Sequence, residues 1–131
     1  MTQQYRHSRH SVSLMNFHFV WIPRRRRKVL VGEVAHRLEE IIKEIASELE
    51  LNVLAMKIMP DHVHLFDSCP PNIAADQVMF RIKGRSSRIL RQEFPHLQKM
   101  PSMWTRSYFV STASNVSSET IKRYIAEQRK D

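Results

Sequence analysis

The sequence is poor in cysteine and in glycine. It has one cysteine and two glycines among its 131 residues, which excludes an intrachain disulfide and the glycine-rich loop that cradles nucleotide phosphates. No apolar run approaches the roughly 20 residues that span a bilayer, and the polar, basic N-terminus is unlike a signal peptide. These absences predict a cytoplasmic protein without a membrane partner or a nucleotide cofactor.

Acidic residues are also few for the number of basic ones. The 13 Asp and Glu face 21 Lys and Arg, a formal net charge of +8, and the acidic clusters expected of a two-metal nuclease are absent. A small domain this basic attracts polyanions, of which nucleic acid is the commonest. The 42% hydrophobic and 26% charged residues predict one globular domain over 1–131, with 1–11 as a mobile leader.

The hydrophobic pattern alternates between strand and helix periods. It predicts four strands, at 12–23, 52–59, 62–68 and 104–112. It also predicts three helices, at 33–49, at 73–94 and from the end of a short connector (113–118) to about residue 129. This order is typical of an α+β, ferredoxin-like (RRM-like) fold. Such a fold has an antiparallel four-stranded sheet with two helices on one face, here followed by a C-terminal helix.

Basic residues cluster at two places outside the predicted core. The first cluster follows the first strand and consists of Arg24, Arg25, Arg26, Arg27 and Lys28. Five consecutive cations repel one another and favour a loop. The second cluster lies on the second helix and consists of Arg81, Lys83, Arg85 and Arg88. Both clusters are candidates for binding DNA phosphates. The alternative is that the helix cations form an ordinary solvated face.

A histidine pair marks the start of the third predicted strand. Because side chains alternate along a strand, His62 and His64 point to one face and Val63 to the other. Two adjacent imidazoles form half of a metal site; the alternative is a pair of exposed strand histidines, because such a triplet often occurs by chance. Asp61 and Gln128 are candidate third ligands, and the amide oxygen of Gln128 suits Mg²⁺ or Mn²⁺.

The last helix carries a candidate nucleophile. Tyr124 lies four residues before Gln128, so both side chains occupy one helix face. A phenol with a pKa near 10 is a weak nucleophile at neutral pH, and a metal on the attacked phosphate offsets this weakness. The alternative to a nucleophile is that Tyr124 is a packing residue beside Ile121 and Ile125.

Taken together, these segments resemble the small single-tyrosine transposases of bacterial and archaeal insertion sequences, in the HUH nuclease superfamily. The resemblance covers nearly the whole chain. Its segments are 17–21 with the following basic run, 59–66, Pro70-Pro71, 82–87, 104–110 and 124–128.

The resemblance implies specific roles and partners. His62 and His64 correspond to the HUH histidines, Tyr124 to the nucleophile and Gln128 to the residue that completes the metal site. It further implies a homodimer that recognises hairpin DNA at element ends and cuts single strands through a 5′-phosphotyrosine intermediate. The connector would be the hinge of the tyrosine helix, without the glycine that many relatives carry near residues 112–114. Whether Tyr124 acts within its own subunit stays open.

Other readings of the sequence remain. A domesticated relative would use the same chemistry on host repeats, and a non-catalytic module would bind nucleic acid through exposed aromatic side chains. The aromatics Trp21, Trp104 and Phe109 are expected in the core. A purely structural metal protein would leave the positive charge unexplained.

Overall fold

The fold is a four-stranded antiparallel sheet with helices on both faces. A computed structural model describes residues 15–113 and 115–127. Its elements follow in the order β1 (Met15–Trp21), α1 (Gly32–Leu49), β2 (Asn52–Met59), β3 (His62–Cys69), α2 (Ala75–Glu93), β4 (Phe109–Ala113) and α3 (Asn115–Glu127). The strands lie in the order β2-β3-β1-β4, which confirms the predicted fold class. The predicted leader lies outside the described residues.

The main core lies between the sheet and the helices α1 and α2. The alternate β1 residues Phe19 and Trp21 and the β3 residues Val63 and Leu65 are at most 1% exposed. The apolar faces of α1 and α2 cover them, through residues such as Leu38, Ile41, Met79 and Ile82. This burial fixes which strand residues face away from the core, and those include both histidines of β3.

The fourth strand is shorter than predicted. It begins at Phe109 rather than Trp104, and Trp104 makes only an isolated bridge to Pro23. The Lys83 ammonium donates to the carbonyls of Thr105, Arg106 and Ser107 at 2.6, 3.1 and 3.4 Å. Three carbonyls that converge on one ammonium cannot form a ladder, so this stretch is a loop.

The predicted connector is mostly helical. Helix α3 begins at Asn115, whereas the polar residues up to position 118 suggested a turn. Asn and Ser favour helix starts as well as turns, which explains the misreading. Among the described residues, no helix has the length and apolar character needed to cross a membrane.

Candidate active site on the open face of the sheet

The histidine pair lies on the face of β3 that points away from α1 and α2. The β2–β3 hairpin pairs Met59 with His62, and the alternation predicted from the sequence is confirmed by the burial of Val63 and Leu65 in the main core. The rings of His62 and His64 are 5.0 Å apart and nearly perpendicular. The hairpin therefore presents both imidazoles on one surface.

Asp61 orients His62. Asp61 directly precedes β3, which starts at His62. Asp61 Oδ1 lies 2.7 Å from His62 Nδ1, and Arg26 donates to Asp61 Oδ2 at 3.1 Å. The hydrogen bond from His62, together with the Arg26 charge, lowers the pKa of Asp61. An ionised carboxylate accepts hydrogen bonds only, so His62 Nδ1–H donates to Asp61, and Nε2 is the nitrogen left for a ligand.

His18 contacts His64, a relationship not foreseen from the sequence. His18 lies on β1, and its Nε2 is 3.0 Å from His64 Nδ1. Burial, and secondarily the charges of His18 and His62, lowers the pKa of His64 to about 4. Burial also lowers the pKa of His18. Both rings are therefore neutral at neutral pH, the form in which imidazole ligates a metal. The alternation of His18 with Phe17 and Phe19 in the sequence indicates that His18 faces away from the core. Its distance from His64, however, depends on the register between β1 and β3, which the sequence pattern does not give.

Helix α3 brings Tyr124 to this surface. The helix contacts β2, β3 and β4, and the Tyr124 ring stands edge-on to the His64 ring of the same chain, with centroids 5.8 Å apart. Tyr124 is 52% exposed, whereas Ile125 is 1% exposed. Among residues 120–127 of this helix, Ile125 is thus the buried side chain, and the Tyr124 side chain is half exposed.

The donor set for a metal is only partly within the described residues. His62 and His64 each have Nδ1 engaged, and their Nε2 atoms remain as nitrogen donors. In 15–113 and 115–127, no three His, Cys, Asp or Glu residues are grouped to hold an ion. Gln128, the predicted third ligand, lies outside the described residues. Two oriented imidazoles on a surface that Tyr124 also faces fit a divalent metal.

The basic run forms a compact, exposed turn beside the histidines. Arg24–Arg26 make one turn of 3-10 helix, and Arg25 and Arg26 have positive φ angles of 58° and 53°. Such backbone costs about 1–3 kcal/mol per residue. The Arg26–Asp61 ion pair and the hydrogen bond from Arg24 to Ser102 hold it in place. The turn therefore directs exposed cations toward solvent at the edge of the His62 site.

Three of the four predicted helix cations have partners within the described residues; the fourth, Arg88, is exposed. Arg81 and Arg85 pair with Glu48 at 2.9 and 2.8 Å. Lys83 holds the 105–107 loop, and burial lowers its pKa. These residues lie on α2, which covers the sheet face opposite His64. Arg81, Lys83 and Arg85 thus have a structural role. Whether the four cations also bind DNA stays a prediction.

Phe109 was predicted to belong to the core, and this prediction is wrong. It is 58% exposed, while Trp21 and Trp104 are buried as expected. Val20 pairs with His64 on one side and with Phe109 on the other. Paired residues point to the same sheet face, so Phe109 lies in the cross-strand row of His64, about 10 Å away at the usual strand spacing. An exposed aromatic ring thus shares the surface of the histidines.

Comparisons with known proteins agree with this arrangement. A family model described as "Transposase IS200 like" matches residues 11–128. The chain is 36% identical over 117 residues to the ISDra2 transposase TnpA of Deinococcus radiodurans, covering 87% of this chain and 84% of that protein. It is 27% identical over 115 residues to the transposase for insertion sequence element IS200 of Salmonella typhimurium, covering 86% and 75%.

Solved structures show the same fold. A crystal structure from Deinococcus radiodurans R1, described as that of a transposase, superposes with a TM-score of 0.77 at 35% identity, over 94% of this chain and 97% of that one. A REP-associated tyrosine transposase bound to a REP hairpin superposes with a TM-score of 0.66, over 93% and 70% of the two chains. At 16% identity, the second likeness concerns the fold alone.

Proposed function

The chain belongs to the IS200-like transposase family, and from that membership we propose that it cleaves and rejoins single-stranded DNA with Tyr124 as the nucleophile. The observation that carries the proposal is the position of the Tyr124 ring, 5.8 Å from the ring of His64. One half-exposed phenol faces His64, which shares its sheet face with the oriented ring of His62. A purely binding surface has no need of that combination.

The proposed reaction is a pair of transesterifications. The Tyr124 Oη attacks a backbone phosphorus and loses its proton, the bond from phosphorus to the 3′ oxygen breaks, and that oxygen takes up a proton to leave as a 3′-OH. The product is a 5′-phosphotyrosine. A 3′-OH from another DNA end then attacks this phosphorus and releases Tyr124. The number of phosphoester bonds is unchanged, which agrees with a chain that lacks an ATP-binding loop.

The side chains of this protein have distinct tasks in that scheme. His62 and His64 would hold a divalent cation, Mg²⁺ or Mn²⁺, through Nε2, and Gln128 would complete the donor set. When bound, the cation supplies positive charge for the phosphate oxygens. Asp61 keeps the His62 ring oriented through the bond to Nδ1. The turn at residues 24–28 would hold the neighbouring DNA phosphates.

The wider proposal concerns substrate and assembly. The substrate would be a hairpin at each element end with an adjoining single strand, and the active protein a homodimer, both expectations of the family resemblance. Within the described residues, His64 and Tyr124 belong to one chain. Each subunit would therefore supply its own nucleophile.

Covalent trapping tests this function. The protein would be incubated with labelled single-stranded hairpin DNA from the ends of its own element and Mg²⁺ or Mn²⁺, then resolved on a denaturing gel. We expect a shifted protein–DNA band that disappears with chelator, with Tyr124→Phe and with His64→Ala.

The matched control is Tyr108→Phe. Tyr108 contacts the core through Phe19 and should leave the band intact. A band that survives Tyr124→Phe would assign the nucleophile elsewhere. With a cleavable cognate substrate, tight chelator-independent binding without any band would identify a non-catalytic binding module instead.

A further inference from the structure

The two histidines of the candidate metal site differ in what holds their rings. His62 Nδ1 faces a carboxylate oxygen of Asp61 at 2.7 Å, and this partner can only accept. His64 Nδ1 faces His18 Nε2 at 3.0 Å, and a neutral imidazole nitrogen can either donate or accept. The Asp61 contact therefore fixes the proton position on His62, whereas the proton position on His64 depends on His18.

Only one of the two arrangements leaves His64 able to bind a metal. If His64 Nδ1–H donates to His18 Nε2, His64 Nε2 keeps a free lone pair. If His18 Nε2–H donates instead, the single proton of neutral His64 must lie on Nε2, which then cannot act as a ligand. The choice between these tautomers is made inside the protein, since His18 is 9% exposed and His64 is 5% exposed.

Packing holds the two rings in this relationship. They lie 5.2 Å apart with an interplanar angle of 19°, and the Phe66 ring, 6.4 Å from His18, meets it edge-on. Phe66 is fully buried and pairs with His18 across the β1–β3 ladder. The contact between the imidazoles is thus built into the register of the two central strands.

We propose that His18 is a positioning residue: it accepts the Nδ1 proton of His64 and so keeps His64 Nε2 free for the divalent metal. The inference rests on the proposed function, because it assigns the metal to His64. Buried partners that orient ligating histidines commonly affect metal affinity 10- to 100-fold when removed, as an order-of-magnitude guide. His18 would belong to this class, with an imidazole in place of the usual carboxylate or carbonyl.

A pair of substitutions of similar size isolates the accepting atom. In His18→Gln the side-chain carbonyl can still accept from His64 Nδ1, and in His18→Met no strong acceptor remains. The first readout is the tautomer of His64 in metal-free, ¹⁵N-histidine-labelled protein, by long-range proton–nitrogen correlation NMR at neutral pH. We expect the Nδ1–H form in the parent and in His18→Gln, and a substantial Nε2–H population in His18→Met.

The second readout is the affinity for Mn²⁺ alone, by electron paramagnetic resonance. His18→Met should bind roughly 10- to 100-fold more weakly, and His18→Gln within a few-fold of the parent, with circular dichroism spectra confirming that both are folded. An Nε2–H tautomer in the parent, or one unchanged in His18→Met, would overturn the proposal. So would equal Mn²⁺ affinities for all three proteins.

The two readouts separate this proposal from the proposed function. Loss of Mn²⁺ binding in His62→Ala but not in His18→Met would retain the metal site and reject the role of His18. If the parent binds no Mn²⁺ while its His64 tautomer still depends on His18, the metal dependence of the proposed function fails, and the hydrogen-bonding role of His18 is upheld.

Discussion

The Tyr124 ring stands edge-on to the His64 ring of its own chain, with 5.8 Å between the centroids. This relationship predicts that nucleophile and histidines from one subunit act together. A mixture of Tyr124→Phe and His64→Ala proteins, allowed to exchange subunits, should then give no cleavage above either variant alone. Exchange of tyrosine helices between subunits would instead create one complete site per mixed dimer. Recovery of cleavage on a hairpin substrate gel would contradict the arrangement within one subunit.

Phe109 should contribute to binding of single-stranded DNA. Its ring is exposed in the cross-strand row of His64, and stacking of one base on an aromatic side chain contributes about 1–3 kcal/mol. Phe109→Ala should therefore weaken binding of an unstructured oligonucleotide about 5- to 150-fold, measured by fluorescence anisotropy at fixed salt.

Phe80→Ala is the matched control for this substitution. Phe80 is 79% exposed but lies on α2, across the sheet from the histidines. Its loss should leave the affinity for the same oligonucleotide nearly unchanged. Equal losses for the two variants would show that exposed aromatic area alone, and not the surface around His64, governs binding.

Exposed cations of the basic turn should determine the salt dependence of binding. Arg25 and Arg27 are exposed, whereas Arg81 and Arg85 share the carboxylate of Glu48. Each lost phosphate contact reduces the slope of log affinity against log salt by about 0.7 for a single strand. The double variant Arg25→Ala/Arg27→Ala should thus have a shallower slope by about 1.4.

The double variant Arg81→Ala/Arg85→Ala tests the second cluster with the same loss of formal charge. Its slope should change less, because those guanidinium groups are already paired. A change as large as that of the turn variant would place the α2 cations on the DNA path, as the sequence pattern first indicated.

Asp67 should make the stability of the protein depend on pH. It is fully buried on the core side of β3, and burial raises its pKa from 3.8 to about 7. The folded state thus favours the protonated carboxyl. The contribution of Asp67 to the free energy of unfolding is therefore complete below the unfolded pKa near 3.9 and is lost as the pH rises to about 7.

Asp67→Asn removes this titration. Relative to the parent, the free energy of unfolding of Asp67→Asn should rise by about 3 kcal/mol between roughly pH 5 and pH 8, measured by urea denaturation. Asp76→Asn, at an exposed carboxylate, should show no comparable change. A flat difference for Asp67→Asn would mean that Asp67 is ionised in the folded protein at both pH values.

Sequence pattern predicted the sheet, the helices and the face of His62 and His64, because these depend on periods of two and 3.6 residues within single elements. It also placed Tyr124 on the last helix. The exact extent of β4 was not predictable, since the 105–107 carbonyls bind an ammonium from a distant helix. The contact of His18 with His64 depends on the register between two strands 46 residues apart in sequence, and the exposure of Phe109 depends on where α3 packs.

The histidines of the candidate site lie on the two central strands, whereas Tyr124 lies on α3, and these two regions differ in local stability. β1 and β3, which carry His18, His62 and His64, are each hydrogen bonded to strands on both sides. From residue 120 to 127 of α3, Ile125 is the one buried side chain. Amide hydrogens of the central strands should therefore exchange only on global unfolding, and those of α3 through a much smaller local opening. Conditions that release the tyrosine helix would leave the three histidines in place, so the helix can redock on a site that is already formed.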